Sequence, residues 1–333
     1  MSDRTRNPLY SQRLAPYLFV APFVILFAVF GLYPLVRSVY LALHQTAGPG
    51  AQVFVGLDNF RFMFSDPLFW KAVRNTVIFA VFSVLVQVPL ALGLALLVNS
   101  RWLKGRNFWR LCFFSPRLVG MVFVALIFGL IFDYDSGMLN KALVALEGPA
   151  EVVAGPFAWL WHQIAGIFTD NGSFGGVNLD WKIQWLETPS FVLPAIVITA
   201  TWLYIGFNMI YFLAALQSVD EQLYEAADVD GASRLQKFWN VTLPSIKPVA
   251  VFVVVLSTIG SFQLFELPFV MFRDGGGRGP DNSALTVVTY LYQSGFVSGD
   301  LGYASSIAWT LVAGVLVLAL VQIRVSGTWK KAA

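Results

Sequence analysis

The sequence contains little charge and almost no cysteine or histidine. Of its 333 residues, 12% are charged and 57% are hydrophobic, with one cysteine and two histidines. Soluble globular chains carry about 25% charged residues, so this composition excludes a cytosolic enzyme domain, a disordered regulator and a disulfide scaffold. The net charge of +3 is too small to indicate nucleic-acid binding. The single cysteine, Cys112, cannot form an intramolecular disulfide, and we expect it to be a small buried side chain.

The sequence contains long apolar runs that have few charged residues. A bilayer core about 30 Å thick needs about 20 mostly apolar residues per helix, and six runs within the membrane domain at 17–323 are long enough. They predict an all-α, polytopic membrane protein with six transmembrane helices. The first run is too long for a cleaved signal peptide and lacks a small-residue cleavage site, which favours a retained helix. The predicted spans are about 17–41, 75–98, 109–132, 190–213, 248–271 and 303–323.

Basic residues between the spans predict the orientation. The N-terminal segment 1–16, the loop after the second span, the loop at 214–247 and the tail 324–333 together contain 13 Lys and Arg, against 7 in the other loops. The positive-inside rule therefore places both termini in the cytoplasm. The loop at 133–189 has seven acidic residues and two lysines, so we expect it outside. Aromatic residues in its insertion at about 145–180 either seat it on the headgroups or contact an external partner.

The inner loop between spans four and five begins with signals for a short helix. Ser218 followed by Glu221 predicts a capping box, and Gly231 supplies the positive φ that ends the helix. The helix presents Glu225 and Asp228 beside two small residues, and alanines permit close approach of another surface. This arrangement suits insertion into a groove of a partner protein, although an ordinary amphipathic connector is the alternative.

A second short helix follows in the same loop. Ser233 and Gln236 predict another capping box at its start. Leu243-Pro244 predicts its end, because the residue before a proline is pushed out of the helical region.

These residues resemble the EAA loop of bacterial ABC importer permeases, E-A-A-x(3)-G with an I/L-x-L-P ending. The resemblance covers nearly the whole chain, although the run Asp274 to Pro280 departs from the shorter G-G-P that often follows span five. Its finer features are similar to the maltose-transporter-type, carbohydrate-uptake branch. They are Gly137-Met-Leu-Asn140, Leu216-Gln-Ser218, Asp230-Gly-Ala-Ser233, Ser261-Phe262 with Phe265-Glu266, and Gly302-Tyr-Ala-Ser305.

The resemblance implies that this loop couples the permease to a cytoplasmic ATPase dimer, with Glu225 as the ionic contact and Gly231 as the turn. It also implies a second, homologous permease subunit, an extracytoplasmic solute-binding protein and a bacterial inner-membrane location. The implied coupling residues are Glu225, Ala226, Ala227, Asp230, Gly231, Leu243 and Pro244.

Groups for chemistry on the chain itself are scarce. The sequence has no G-x(4)-G-K-[ST] phosphate loop, so we expect ATP and Mg on the partner ATPase and no cofactor on this chain. His44 and His162 are the only histidines, and a solvated or interfacial histidine is commoner than a ligand or a base. We therefore predict no catalytic site, no metal site and no enzyme activity.

Spans four and five have the character of a path for a polar solute. Aromatic faces in the run Trp202 to Asn208 can pack against the apolar side of a sugar ring, and span five carries a stripe of small and hydroxyl residues. Helix packing is the alternative for both features. Glu266, with Gln263 nearby, is an intramembrane ionisable residue and so a functional candidate. By the resemblance, the pathway candidates are Leu203, Tyr204, Phe207, Ser257, Gly260, Ser261 and Leu264.

Together these features predict a permease subunit of an ATP-driven ABC importer that moves a sugar, an oligosaccharide or a polyol, by alternating access. One alternative is a permease of the same fold for another solute such as glycerol phosphate, for which only Arg37 or Arg117 offers a positive charge near the spans. Another is an ion-coupled secondary carrier, which has Glu266 as its only support. A membrane enzyme would need a reactive cluster that the sequence lacks.

Overall fold

A computed structural model describes residues 15–47, 51–100, 102–145, 183–273 and 276–327. Helices dominate these ranges, and this confirms the all-α, multi-span prediction. Residues 1–14, the tail from residue 328, His162 and most of the outer insertion lie outside the described residues. The described helices, in chain order, are α1 (Ala15–Phe27), α2 (Tyr33–Ala42), α3 (Asp58–Ser65), α4 (Pro67–Asn99), α5 (Arg106–Phe114), α6 (Met121–Ile131), α7 (Met138–Ala145), α8 (Pro189–Gln217), α9 (Glu221–Val229), α10 (Arg234–Lys237), α11 (Leu243–Phe262), α12 (Glu266–Met271), α13 (Val287–Tyr292) and α14 (Leu301–Ser326).

Several of these helices join into segments long and apolar enough to cross a membrane. Five such segments are Pro16–Ala42, Pro67–Asn99, Pro189–Gln217, Arg234–Met271 and Leu301–Ser326. A sixth candidate is the pair Arg106–Leu118 and Met121–Ile131, which is bent by 98°.

The third predicted span is therefore not one continuous helix. The 3-10 turn Ser115–Leu118 carries Pro116, and the backbone then becomes extended at Val119 and Gly120 before α6 begins. Extended residues cannot continue the helical hydrogen-bond ladder, so the chain changes direction there.

One compact unit comprises the described residues up to Asp66 together with Leu291–Thr310. It contains α1 to α3 and an antiparallel hairpin of β1 (His44–Ala47) and β2 (Ala51–Phe54), in which His44 pairs with Phe54. The imidazole of His44 stacks on the Tyr40 ring with centroids 3.9 Å apart, and the residue is only 8% exposed. The expectation of a solvated or interfacial histidine is wrong here, because the hairpin folds this side chain against the preceding helix.

The second compact unit comprises Pro67–Tyr290 and the described residues from Leu311 onward. Its helix α8 packs along α4, with Ile196, Ala200 and Phe212 in the buried contact. At Gly206 an added Cβ would lie 1.7 Å from the carbonyl oxygen of Phe113. Only glycine therefore allows α5 to cross α8 this closely.

Cys112 lies on α5 and is exposed, which contradicts the expectation of a buried side chain. It lines an apolar groove of about 1220 Å³ together with residues of α4 and α8 such as Gly93 and Trp202. A thiol is apolar enough to line such a groove. The apolar character of Cys112 was therefore not sufficient to predict whether it is buried.

The two ends of the outer insertion meet at a buried asparagine. The Asn140 amide donates to the carbonyl oxygens of Tyr134 (3.1 Å) and Ile183 (3.0 Å), while its oxygen accepts from the Ile183 N–H (3.2 Å) and the Trp185 indole (3.0 Å). Asn140 is 2% exposed; its bond from the Trp185 indole is buried, and the other three are partly buried. We call Asn140 with these partners the Asn140 clasp.

A tight loop leads into the clasp. The Asp133 carboxylate accepts hydrogen bonds from the Ser136 hydroxyl (2.7 Å), the Ser136 N–H (2.7 Å) and the Asp135 N–H (3.2 Å). The Ser136 hydroxyl contributes most to holding the pKa of Asp133 below its usual value, followed by the Ser136 N–H. At Gly137 a Cβ would lie 2.2 Å from the Asp133 carbonyl oxygen and 2.6 Å from that of Ile131, so this position requires glycine.

Candidate functional site

The first helix of the predicted coupling loop, α9, is capped by Asp220. Its carboxylate accepts from the Gln222 N–H at 3.0 Å. The predicted capping box of Ser218 and Glu221 is wrong, because the Ser218 hydroxyl instead donates to the Ala215 carbonyl at the end of α8 (2.8 Å). A carboxylate closer to the helix start satisfies the free N–H group in its place.

The turn from α9 to α10 follows the prediction. Gly231 has a φ of +69°, the left-handed conformation that glycine adopts at little cost. The Ser233 hydroxyl accepts from the Gln236 N–H (3.4 Å), and the Gln236 side chain accepts from the Ser233 N–H (2.7 Å). The second capping box is therefore confirmed.

Two side-chain contacts tie α9 to the segment that follows it. The Tyr224 hydroxyl hydrogen-bonds the Thr242 hydroxyl at 2.9 Å, and Asp228 forms an ion pair with Lys237. These contacts use the inner side of α9 and fix the angle between the two short helices. We call residues 220–242 the coupling element.

The other side of α9 is open. Glu225, Ala226 and Asp230 are exposed, Ala227 is half-buried, and Val229 is 89% exposed. Within the described residues Glu225 has no ion-pair or hydrogen-bond partner. Asp228, in contrast, already has Lys237, so Glu225 and the exposed Asp230 are left for a partner.

Leu243 and Pro244 do not end the second helix, contrary to the prediction. A π turn, Phe238–Thr242, follows α10 and leads directly into α11, whose first turn contains Pro244. The Leu243 N–H bonds to the carbonyl of Phe238, five residues earlier. Proline is tolerated in the first turn of a helix, and the wide π turn accommodates its ring, so the chain stays helical from the coupling element into span five.

Of the pathway candidates, Leu203, Ser261 and Leu264 are buried. Leu203 packs with Phe128 and Phe191, and the Ser261 hydroxyl donates to the Ser257 carbonyl at 2.8 Å. These contacts are those of helix packing.

The other four candidates, Tyr204, Phe207, Ser257 and Gly260, are partly or fully exposed. The Asn208 amide donates to the Ser257 hydroxyl across the contact between α8 and α11 (3.2 Å). No atom beyond the helix itself lies within 4 Å of a Cβ built on Gly260. Aromatic rings on α8 and small residues on α11 thus border an open space, which we call the path surface.

Of the charges beside this surface, Glu266 was named from the sequence as a functional candidate and Arg117 only as a positive charge near the spans. The Arg117 guanidinium lies over the rings of Tyr204 (5.3 Å) and Phe207 (5.9 Å). Glu266 begins α12, just after the helical break at Gln263 to Phe265, and its side chain is exposed. In the sequence, Pro116 and Gly120 flank Arg117, and these two residues could have predicted a helix break there.

No group of three or more His, Cys, Asp or Glu suited to hold a metal ion occurs in the described part of the chain. The candidate site residues lie on two surfaces, one at the coupling element and one along α8 and α11.

Comparison with known proteins identifies the family of the chain. The family described as binding-protein-dependent transport system inner membrane component matches residues 87–326. The arabinooligosaccharides transport system permease protein AraP of Bacillus subtilis (strain 168) is 36% identical over 326 residues, covering 98% of this chain and 92% of the relative. The lactose transport system permease protein LacF of Rhizobium radiobacter is 35% identical over 307 residues, covering 92% of each chain.

A solved structure shares the fold. It is a bacterial ABC transporter involved in the import of the acidic polysaccharide alginate, with a TM-score of 0.73, 24% identity and 94% of each chain covered. The resemblance carried by the E-A-A residues is confirmed by these matches. The chain belongs to the family of inner-membrane permease components of binding-protein-dependent transport systems.

Proposed function

We propose that this permease subunit carries a saccharide across the bacterial inner membrane by alternating access, driven by a separate ATPase. Relatives named for arabinooligosaccharides and lactose support a sugar as the substrate. In this proposal ATP and Mg bind the ATPase dimer. The family description supports an extracytoplasmic binding protein, which would deliver the sugar.

The observation that carries the proposal is the exposed acidic face of the coupling element. Glu225 has no partner within the described residues, while small side chains beside it let another surface approach closely. A desolvated carboxylate paired with a cation across an interface is a strong and specific contact. This face therefore suits a basic groove on the ATPase, with Gly231 setting the turn between the two helices.

The same element continues into the membrane. Because the coupling element runs through the π turn into α11 without a break, a displacement of α9 moves span five. The Tyr224 and Asp228 contacts keep that displacement from being absorbed by bending between the short helices. Closure of the ATPases then reaches the path surface, where Ser257 and Gly260 lie on α11.

The path surface has the chemistry of a sugar site. The rings of Tyr204 and Phe207 offer apolar faces to the C–H side of a sugar, and the Asn208 and Ser257 side chains hydrogen-bond beside them. Such a mixture of aromatic surface and placed polar groups is typical of ligand sites.

A second permease completes the transporter. Two ATPase sites need two coupling elements, and this chain has one. The first apolar segment, Pro16–Ala42, has no buried residue in its most apolar window, which leaves its surface for lipid and for the second permease.

Co-purification tests the assignment. The permease is tagged and co-expressed with its ATPase and second permease, and the ratio of ATPase to permease is measured after mild solubilisation. Glu225→Lys should weaken ATPase binding by about 3 kcal/mol, on the order of a hundredfold, because a contact charge is reversed. Glu187→Lys is the matched control, since Glu187 is exposed on the predicted outer side. Equal ATPase recovery with both variants would contradict the proposal.

A further inference from the structure

An arginine lies against the aromatic part of the path surface. Arg117 belongs to the 3-10 turn before the 98° bend, and its guanidinium lies over Tyr204 and Phe207, near the middle of α8. An ionised side chain at such a depth is costly and usually has a functional role. Contact with aromatic faces offsets part of that cost.

No carboxylate in the described ranges lies within ion-pair distance of Arg117. The guanidinium is exposed rather than enclosed by protein. Its five N–H donors, fixed in a plane, are therefore available to a solute.

Glu266 supplies the opposite charge near Tyr204. It begins α12, and its neighbour Leu267 belongs to the buried cluster against which Tyr204 packs. The Tyr204 hydroxyl donates to the Met121 sulfur at the start of α6 (3.7 Å), and the Arg117 guanidinium lies over the Tyr204 ring. The broken spans three and five thus place a cation and an anion in the neighbourhood of one aromatic ring.

This pair of charges matches the hydrogen-bonding groups of a neutral sugar. A sugar hydroxyl both donates and accepts, so it can donate to the Glu266 carboxylate and accept from the Arg117 guanidinium. An acidic sugar would gain from Arg117 but would be repelled by Glu266. Opposite charges close to one site contribute potentials of opposite sign, so Glu266 offsets part of the attraction that Arg117 exerts on an anion.

We propose that Arg117 and Glu266 bind sugar hydroxyls on the path surface and that, as a balanced pair, they make the path select neutral over acidic saccharides. This inference rests on the proposed function, since it names the substrate class of that same path.

Thiol labelling measures the charge balance without knowledge of the natural sugar. In the assembled transporter carrying Cys112→Ser, Ser257→Cys places a thiol on the path surface. The labelling rates of an anionic sulfonatoethyl and a cationic trimethylammonium-ethyl methanethiosulfonate are compared. Glu266→Gln should raise the anion-to-cation rate ratio on the order of tenfold, Arg117→Gln should lower it similarly, and the double variant should return it towards the starting value.

Glu187→Gln is the matched control, because it removes an equal charge from an exposed position on the predicted outer side, before the start of α8, and should leave the labelling ratio unchanged. A ratio that responds to neither Arg117→Gln nor Glu266→Gln would overturn the inference. Its failure would be distinct from failure of the proposed function, which is read from ATPase recovery and not from labelling.

Protection of the Ser257→Cys thiol tests the selectivity itself. Lactose, as a neutral probe, should slow labelling more than digalacturonate does when Glu266 is present, and Glu266→Gln should improve protection by digalacturonate relative to lactose. Stronger protection by digalacturonate in the presence of Glu266 would overturn the inference.

Discussion

The Asn140 clasp and the coupling element are both built from short-range polar contacts, but they differ in their access to water. The clasp has four hydrogen bonds, one buried and three partly buried, around one amide that is 2% exposed. In the coupling element, Asp228 keeps 66% of its side chain exposed while it pairs with Lys237. Buried polar groups are costly to leave unpaired, whereas exposed ion pairs contribute about 0–1 kcal/mol. The clasp therefore stabilises the fold, and the coupling element holds a shape for a partner.

The largest effect should come from removing the amide of the clasp. Asn140→Ala leaves the Ile183 N–H and the Trp185 indole without the Asn140 acceptor and removes one donor from each of two carbonyls, so we expect a loss of about 3–4 kcal/mol in unfolding free energy. Thermal unfolding of the purified permease measures this loss. Asn240→Ala is the control at an exposed asparagine of the coupling element, and it should change stability by less than about 0.5 kcal/mol. Similar losses for both variants would remove the distinction between the two regions.

Two glycines allow the cost of a steric collision to be compared with the cost of a positive φ. Gly137→Ala should cost about 3 kcal/mol, because the new methyl group would collide with two carbonyl oxygens. Gly231→Ala has open space around the new atom but keeps a φ of +69°, so it should cost about 1 kcal/mol. Chemical unfolding of both variants gives the comparison, and a larger cost at Gly231 would contradict it.

Removing the Tyr224 hydroxyl tests whether transport depends on a rigid coupling element. Tyr224→Phe loses one partly buried hydrogen bond to Thr242 and should cost about 1 kcal/mol. The amount of sugar transported per ATP hydrolysed should fall clearly although the loss of stability is small, because α9 can then bend relative to α11. Measurement of uptake and ATPase activity in the same vesicles gives this ratio. Tyr17→Phe, at an exposed position on the first span, should leave it unchanged.

The smallest effect concerns pH at the loop before the clasp. The pKa of Asp133 is lowered in the folded protein by the Ser136 hydroxyl and N–H groups. Its stabilising contribution is therefore present above the ordinary pKa of about 4 and is lost as the pH falls through the lower, folded value. The difference in melting temperature between the native protein and Asp133→Asn should shrink between about pH 6 and pH 3. Asp135→Asn, whose side chain accepts none of these bonds, should show no such trend.

Local signals were sufficient for much of the coupling element. Gly231 and the Ser233–Gln236 box depend on residues within one turn of each other, and both were predicted correctly. The predicted cap at Ser218 was wrong because the bond from Ser218 to α8, which leaves Asp220 to cap the helix, is invisible in the sequence.

Contacts across long stretches of sequence could not be predicted in this way. Asn140 was part of a recognised motif, but its partner Ile183 lies beyond the outer insertion. Arg117 and Glu266 come near Tyr204 where spans three and five are broken. Pro116 and Gly120 could have marked the first of these breaks, but the apolar runs gave no indication of the second.

The uninterrupted helical course from the coupling element into span five acts as a lever. From Phe238 to Ser257 the chain rises about 1.5 Å per residue, or roughly 29 Å in all. A tilt of about 5° at the cytoplasmic end would shift Ser257 sideways by about 2.5 Å, enough to widen or narrow a passage for a sugar ring. If Pro244 had ended the helix, as the sequence suggested, the chain could bend there. A continuous helix instead allows a displacement at the cytoplasmic end to reach Ser257.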